Sequence, residues 1–322
     1  MLQLFNGLRY SKSPIFLVIL WVNILIKKIV LEGKKSIERK PSWLKIKLPS
    51  GEGYNRVSRV VKEHGLHTIC TSGMCPNIGE CWSNGTATFM ILGDICTRSC
   101  RFCATTTGKP LPPDPKEPIQ VARSIKLMGL RHCVITSVTR DDLKDGGAIH
   151  WHDTIVEIHK QNPDTKVEVL IPDFNGDTNL LDLVLEAKPD IVAHNLETVK
   201  RLTPSVRSKA NYEKSLKVIA HVAKKGYLSK SGIMLGLGEK QSEVEQLMDD
   251  LRAVSCRSIT IGQYLQPRNE NLVVSEYIAP EQFDHYREIA ISKGFDFVES
   301  GPLVRSSYHA EEAAKKGLNG ND

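Results

Sequence analysis

Apolar residues follow two alternating patterns between residues 86 and 300. Short apolar or β-branched runs bounded by turn residues predict strands at 88–92, 133–138, 166–171, 191–194, 232–235, 258–264 and 295–299. Between them, apolar positions at helical spacing predict helices at 119–128, 149–160, 180–187, 212–224, 242–254 and 280–292. Repeated strand–helix units predict an α/β fold with a parallel sheet, here a partial (βα)6-type TIM-like barrel. Upstream, 41–58 carries Pro, Gly and charge with little periodicity and reads as an extended arm. A short helical stretch at 56–64 leads to the first cysteines. The Pro-rich stretch 109–118 reads as a surface connection, because proline suits neither a helix interior nor a central strand. Four regions result: an extension 1–40, a cysteine-bearing arm 41–85, the barrel 86–300, and a segment 301–322 that closes over the barrel mouth and ends in a polar tail.

Composition adds little except where charge is located. The 322 residues are 41% hydrophobic and 25% charged, ordinary for a soluble globular chain. The net charge of +6 resides in the first forty residues, which hold eight Lys or Arg against Glu32 and Glu38. The remainder is balanced, with 35 charges of each sign. A nucleic-acid binder needs its basic surplus on the folded body, so no nucleic-acid partner is expected. Within the extension, the apolar run 15–26 is too short to cross a membrane and has no small-residue cleavage site after it. It reads as a dispensable extension or misplaced start, with a membrane-associating anchor as the alternative. A cytoplasmic location is expected for the body.

Six of the eight cysteines crowd into residues 70–103, unlike a disulfide framework spread through a short chain. They form two triads, Cys70-x4-Cys75-x5-Cys81 and Cys96-x3-Cys100-x2-Cys103. Gly73, Pro76, Asn77 and Gly79 in the first favour a compact loop on which three thiolates converge. The second follows the first barrel strand, at the C-terminal mouth where βα-barrel active sites form. Structural zinc wants four closed ligands, whereas each triad offers three. Three thiolates suit a 4Fe-4S cluster with one open iron, which could bind S-adenosylmethionine and deliver an electron to it. A zinc-binding interaction module is the rival from another class. Cys133, inside a predicted strand, and Cys256, near a helix end, read as inert core thiols.

The pattern Cys96-x3-Cys100-x-Phe102-Cys103 resembles the radical S-adenosylmethionine signature. The two triads in this order, with Gly301-Pro302-Leu303-Val304-Arg305-Ser306-Ser307-Tyr308-His309-Ala310, resemble the lipoyl synthase family over residues 40 to 310. That resemblance implies two 4Fe-4S clusters and S-adenosylmethionine. The second triad would hold the cluster that cleaves S-adenosylmethionine; the first, with Ser307 as fourth ligand, would hold an auxiliary cluster consumed as sulfur source. It also implies two sulfur insertions, at carbons six and eight of an octanoyl group on a lipoyl carrier domain. The partners implied are 2-oxoacid dehydrogenase subunits or the glycine cleavage H protein as carriers, reduced ferredoxin or flavodoxin as electron donor, and a cluster repair protein.

For S-adenosylmethionine contacts, the resemblance points to Phe102, Asn195, Glu197, Gly236, Gly238 and Glu239. By sequence alone the last three form a glycine-rich strand end, and Asn195 and Glu197 are polar residues after a strand. Ser137 and Arg140, at another strand end, are further candidates for the pocket wall.

Overall fold

In the computed structural model, residues 40–46, 48–73 and 75–310 are described; the apolar run 15–26 and the tail 311–322 lie outside them. The chain divides into Met1–Pro41 and Ser42–Asp322, and every element below belongs to the second unit. Three helices come first: α1 (Glu52–Glu63), α2 (Ile69–Ser72) and α3 (Ile78–Ser83). Strand β1 (Thr86–Ile91) follows, then a two-residue pair, β2 (Ile95–Cys96) and β3 (Thr106–Thr107). The remainder alternates through α4 (Glu117–Met128), β4 (His132–Ser137), α5 (Ala148–Gln161), β5 (Lys166–Leu170), α6 (Thr178–Glu186) and β6 (Ile191–Ala193). It continues with α7 (Thr203–Val206), α8 (Tyr212–Lys224), β7 (Leu228–Leu235), α9 (Gln241–Ala253), β8 (Ser258–Gln263), α10 (Pro280–Ser292) and β9 (Phe297–Gly301).

Seven of these strands form one parallel sheet in the order β1-β4-β5-β6-β7-β8-β9. Sequential order is that of a barrel wall, and among the described residues no ladder joins β1 to β9. Both faces are covered, so the strands read as near-continuous buried runs. In-register pairing, such as Ile91 with Ser137 and Leu235 with Gln263, brings the C-terminal strand ends to one rim. The core has two main parts: one joins β1, β4 and β5 to α4, α5 and α6, the other joins β7 and β8 to α8, α9 and α10.

Helices α8 and α10 lie where the apolar spacing puts them. Other elements depart from expectation. Helix α1 starts at Glu52, four residues before the predicted helical stretch and inside the arm, because Val57 and Val61 are buried along one face. The first triad is carried by two short helices, α2 and α3, rather than by loop alone. Pro118 does not belong to the surface connection; it occupies the first turn of α4, where a missing N–H costs nothing. Strand β7 starts four residues early. In this added stretch the Lys230 ammonium is fully buried and donates to Glu168 Oε1 at 2.8 Å.

Candidate functional site

The second triad sits on a loop that strand-end segments hold from several sides. Its base is the β2–β3 pair, closed by Gly108 N–H donating to the Cys96 carbonyl at 3.0 Å. From beyond β4, the Thr139 carbonyl accepts from Thr97 N–H and from the Thr97 hydroxyl. The Val206 carbonyl accepts from Arg101 N–H, and Asn271 Nδ2 donates to the carbonyls of Arg101 and Cys103. Backbone N–H groups also point at sulfur: Arg98 and Thr139 at Cys96 Sγ (3.4 and 3.3 Å), and Thr105 at Cys103 Sγ (3.4 Å). Hydrogen bonds to sulfur of this kind are among the features that tune an iron–sulfur cluster.

Arg98, inside the first spacer of this triad, anchors the loop. Its guanidinium makes paired hydrogen bonds to Asp141 and to Asp173, all at 2.8–2.9 Å. Burial pushes the Asp173 carboxyl up, but Arg98 outweighs it and holds the group at about 2. Arg140 does not serve the predicted purpose. Its buried guanidinium is engaged by Asp142 and the Leu92 carbonyl, and it lines a separate recess of about 500 Å³ with Arg98, Lys144 and Lys209. Ser137 lines neither this recess nor the cavity beside Cys103.

That cavity, of about 310 Å³, is lined by Phe102, Cys103, Asn195, Glu197, Met234 and Arg305, among others. Asn195 and Glu197 reach it by an irregular backbone. Glu197 has φ 67° and pairs with β7, its N–H donating to the Gly232 carbonyl and its carbonyl accepting from Met234 N–H. A non-glycine residue in that region is held there by its surroundings. Burial pushes the Glu197 carboxyl up; the Arg207 cation and the Asn195 amide act the other way. Gly236, Gly238 and Glu239 do not line the cavity. Gly236 (φ 94°) packs on Gln263 and the Glu276 carbonyl, and Glu239 accepts from Gly236 N–H (2.5 Å) and Leu237 N–H (2.9 Å).

The first triad lies against β1 and the C-terminal segment. Cys70 is buried, and its sulfur accepts from Thr88 N–H at 3.4 Å. Burial pushes the Cys70, Cys75 and Cys100 thiols up; the cations Arg305 near Cys75 and Arg207 near Cys100 oppose it. Asn77 precedes α3, and its Nδ2 donates to the Leu303 carbonyl at 2.9 Å. Glu80, beside Cys81, accepts from Tyr308 O–H at 3.0 Å and pairs with His309 at 2.9 Å. The sequence-distant run 301–310 thus joins the first triad to the cavity of the second. Ser306 donates to Asn195 Oδ1, while the Ser307 hydroxyl has no hydrogen-bond partner among the described residues.

No disulfide joins any of the eight cysteines. Among the described residues, no three His, Cys, Asp or Glu side chains gather as ligands of a single ion do. A cluster needs no such gathering, because each thiolate takes its own iron. The sulfur-directed N–H groups and the open Ser307 hydroxyl fit that requirement. Cys133 and Cys256 are wholly buried in the core, and burial pushes Cys256 up to about 12. Arg98 and Arg207 were not singled out from sequence. Arg98 had one signal, its place between two cysteines; Arg207 had none, since its contacts with the Asn195 and Leu196 carbonyls and Ser215 are tertiary.

Comparison with known proteins extends this picture. Residues 90–251 match the model for the radical SAM superfamily. Residues 24–75 match the N-terminal domain of lipoyl synthase, reaching back into the extension that sequence reading left outside the resemblance. Methylornithine synthase has a similar structure (TM-score 0.51, 12% identity, 76% of this chain and 81% of that one). So has Streptococcus suis SuiB bound to S-adenosylmethionine (TM-score 0.55, 12% identity, 88% and 64%). At such identity these two speak for the fold alone. Lipoyl synthase of Bacteroides fragilis (strain YCH46) is 61% identical over 280 residues, 87% of this chain and 97% of that one. Lipoyl synthase of Treponema denticola is 57% identical over 275 residues, 85% and 95%. With identity this high over nearly the full length of these relatives, the chain belongs to the lipoyl synthase family of the radical SAM superfamily.

Proposed function

We propose that this chain inserts two sulfur atoms, at carbons six and eight, into an octanoyl group carried on a lysine of a lipoyl carrier domain. The observation that carries this reading is the C-terminal segment. Arg305 and Ser306 line the cavity of the second triad, while Tyr308 and His309 bind Glu80 beside the first. When bound, two 4Fe-4S clusters and S-adenosylmethionine supply the electron, the hydrogen-abstracting radical and the sulfur. Cys96, Cys100 and Cys103 hold the cluster that meets S-adenosylmethionine; Cys70, Cys75, Cys81 and Ser307 hold the auxiliary one. Ser307 is the ligand the family resemblance implies; in keeping with it, the Ser306 hydroxyl is engaged, while that of Ser307 has no hydrogen-bond partner among the described residues.

Asn195 and Glu197 are the polar groups on the cavity wall suited to the methionyl amine and carboxylate or to ribose. Phe102, Met234, Tyr264, Leu265 and Val304 supply apolar surface that excludes water from an alkyl chain and shields a reactive carbon. The region 41–85 serves the auxiliary cluster, 86–300 the radical chemistry, and the segment 301–310 closes the mouth.

The carriers are 2-oxoacid dehydrogenase subunits or the glycine cleavage H protein. Reduced ferredoxin or flavodoxin supplies electrons, and a repair protein rebuilds the auxiliary cluster. Need for these partners places the chain in the cytoplasm; among the described residues no helix is long and apolar enough to cross a membrane.

The test is anaerobic incubation of iron-reconstituted protein with S-adenosylmethionine, dithionite and an octanoyl-lysine peptide, followed by mass spectrometry. Two sulfurs gained by the peptide with 5'-deoxyadenosine released is the expected result. Deoxyadenosine with an unmodified peptide overturns the substrate, and no cleavage by protein holding both clusters overturns the radical chemistry.

A further inference from the structure

Neighbouring serines in the C-terminal segment differ in what holds them. The Ser306 hydroxyl donates to Asn195 Oδ1 at 3.2 Å, and Asn195 Nδ2 donates onward to Glu197 Oε1 at 3.2 Å. Two residues later, Tyr308 O–H donates to Glu80 Oε2, next to Cys81. Ser307 therefore sits between one tie to the barrel and one tie to the first-triad helix, with its own hydroxyl unengaged among the described residues.

Asn195 is itself held in place. It faces bare backbone at Gly232, where an added Cβ would stand 3.0 Å from Asn195 Oδ1 and 2.5 Å from Thr260 Oγ1. Its backbone carbonyl accepts from the buried Arg207 Nη1 at 3.2 Å. The carboxamide, with its nitrogen on Glu197 and its oxygen on Ser306, passes a change at its cavity face to Ser306.

We propose that Ser306 is a positioning residue which, through Asn195, links occupancy of the S-adenosylmethionine side of the cavity to the placement of Ser307 at the first triad. This rests on the roles given above to Asn195 and Ser307. Ligand seated against Asn195 and Glu197 orients the carboxamide and tightens the Ser306 bond. Without ligand the Ser306 bond is already formed, and the Leu303 carbonyl, Tyr308 and His309 tie the segment to the first triad.

The test uses full-length wild-type protein with Ser306→Ala and Ser306→Thr, the second keeping the hydroxyl. Hydrogen exchange read by mass spectrometry on the metal-free chains should show amides of 304–310 exchanging about fivefold to tenfold faster in S306A, as expected for one lost hydrogen bond. S306T should match wild type, and peptides from β4 and β5 should not change in either variant. In the holoenzymes, S-adenosylmethionine should slow exchange of 304–310 in wild type and S306T but not in S306A. A chelator should strip auxiliary iron from S306A faster by a similar factor.

Equal exchange and iron loss in S306A and wild type would overturn the proposal. So would faster exchange in S306A that S306T fails to restore, since the hydroxyl would then not be the cause. Failure of the functional reading shows separately, as wild-type protein that cleaves S-adenosylmethionine and adds no sulfur to octanoyl-lysine.

Discussion

Single side chains in this molecule draw their roles from partners far away in sequence. For Ser307, substitution by alanine should leave S-adenosylmethionine cleavage within about twofold of wild type. Sulfur insertion should fall at least about tenfold, a loss that removal of even an outer ligand-shell partner can cause. Iron analysis and peptide mass spectrometry check this, and full sulfur insertion by Ser307→Ala would remove the residue from the ligand set. His194 offers a second case. Its Nδ1–H donates to the Ile171 carbonyl and its Nε2 accepts from the Ser215 hydroxyl, both at 2.9 Å. Burial, with the Arg207 cation nearby, lowers the imidazole from 6.5 to about 4. The unfolded chain therefore binds a proton that the folded one refuses between those values. Stability should be full above pH 6.5 and decline by up to about 3 kcal/mol as pH falls toward 4. Denaturant unfolding of wild type and His194→Asn should show a smaller slope for the variant in that window; identical slopes would remove His194 as the cause. His194 does not advertise this in sequence, where it is only the end of a strand, and Ser307 is singled out by the family resemblance alone.

Elements were legible where burial follows a simple period. Helices α8 and α10 and the strand centres lie in runs whose apolar spacing is sufficient. Legibility failed where polar residues face inward or neighbours impose a conformation. Leu228–Lys230 pairs with β6, and Glu168 neutralises the ammonium that this pairing buries. Helices α2 and α3 are too short for periodicity to show and depend on packing against β1 and α1. The meeting of β8 with the C-terminal segment has the same character. A Cβ on Gly262 would stand 2.2 Å from the Val304 carbonyl oxygen, a backbone atom that yields only if the segment moves. Gly262→Ala should cost roughly 1–3 kcal/mol as an overpacking change. It should also lower sulfur insertion more than S-adenosylmethionine cleavage, because the displaced piece carries Arg305 to Tyr308. Thermal unfolding and the two product yields measure these effects, and equal losses of both activities would argue against a selective displacement.

For the whole molecule, the two main core clusters and the seven-stranded sheet are built from side chains other than the thiols proposed to hold iron, Cys70 and Cys96 excepted. Stripping iron anaerobically should therefore leave far-ultraviolet circular dichroism largely unchanged. Hydrogen exchange should increase mainly in 69–83, 95–108 and 301–310; global loss of dichroism would show that the clusters hold the fold. The sequence by itself determined the α/β alternation, the two cysteine triads and the family, because burial periodicity and ligand spacing are local properties of the chain. Tertiary structure alone decided that Asn77 and Glu80 are what tie residues 301–310 to the first triad, that Asn195 and Glu197 share a cavity with Cys103, and that Gly236, Gly238 and Glu239 do not line that cavity. It also supplied Arg98 with Asp141 and Asp173 as its partners. The physical reason is that hydrogen bonds and ion pairs across tens to hundreds of residues depend on where the sheet brings strand ends together, which no local pattern encodes.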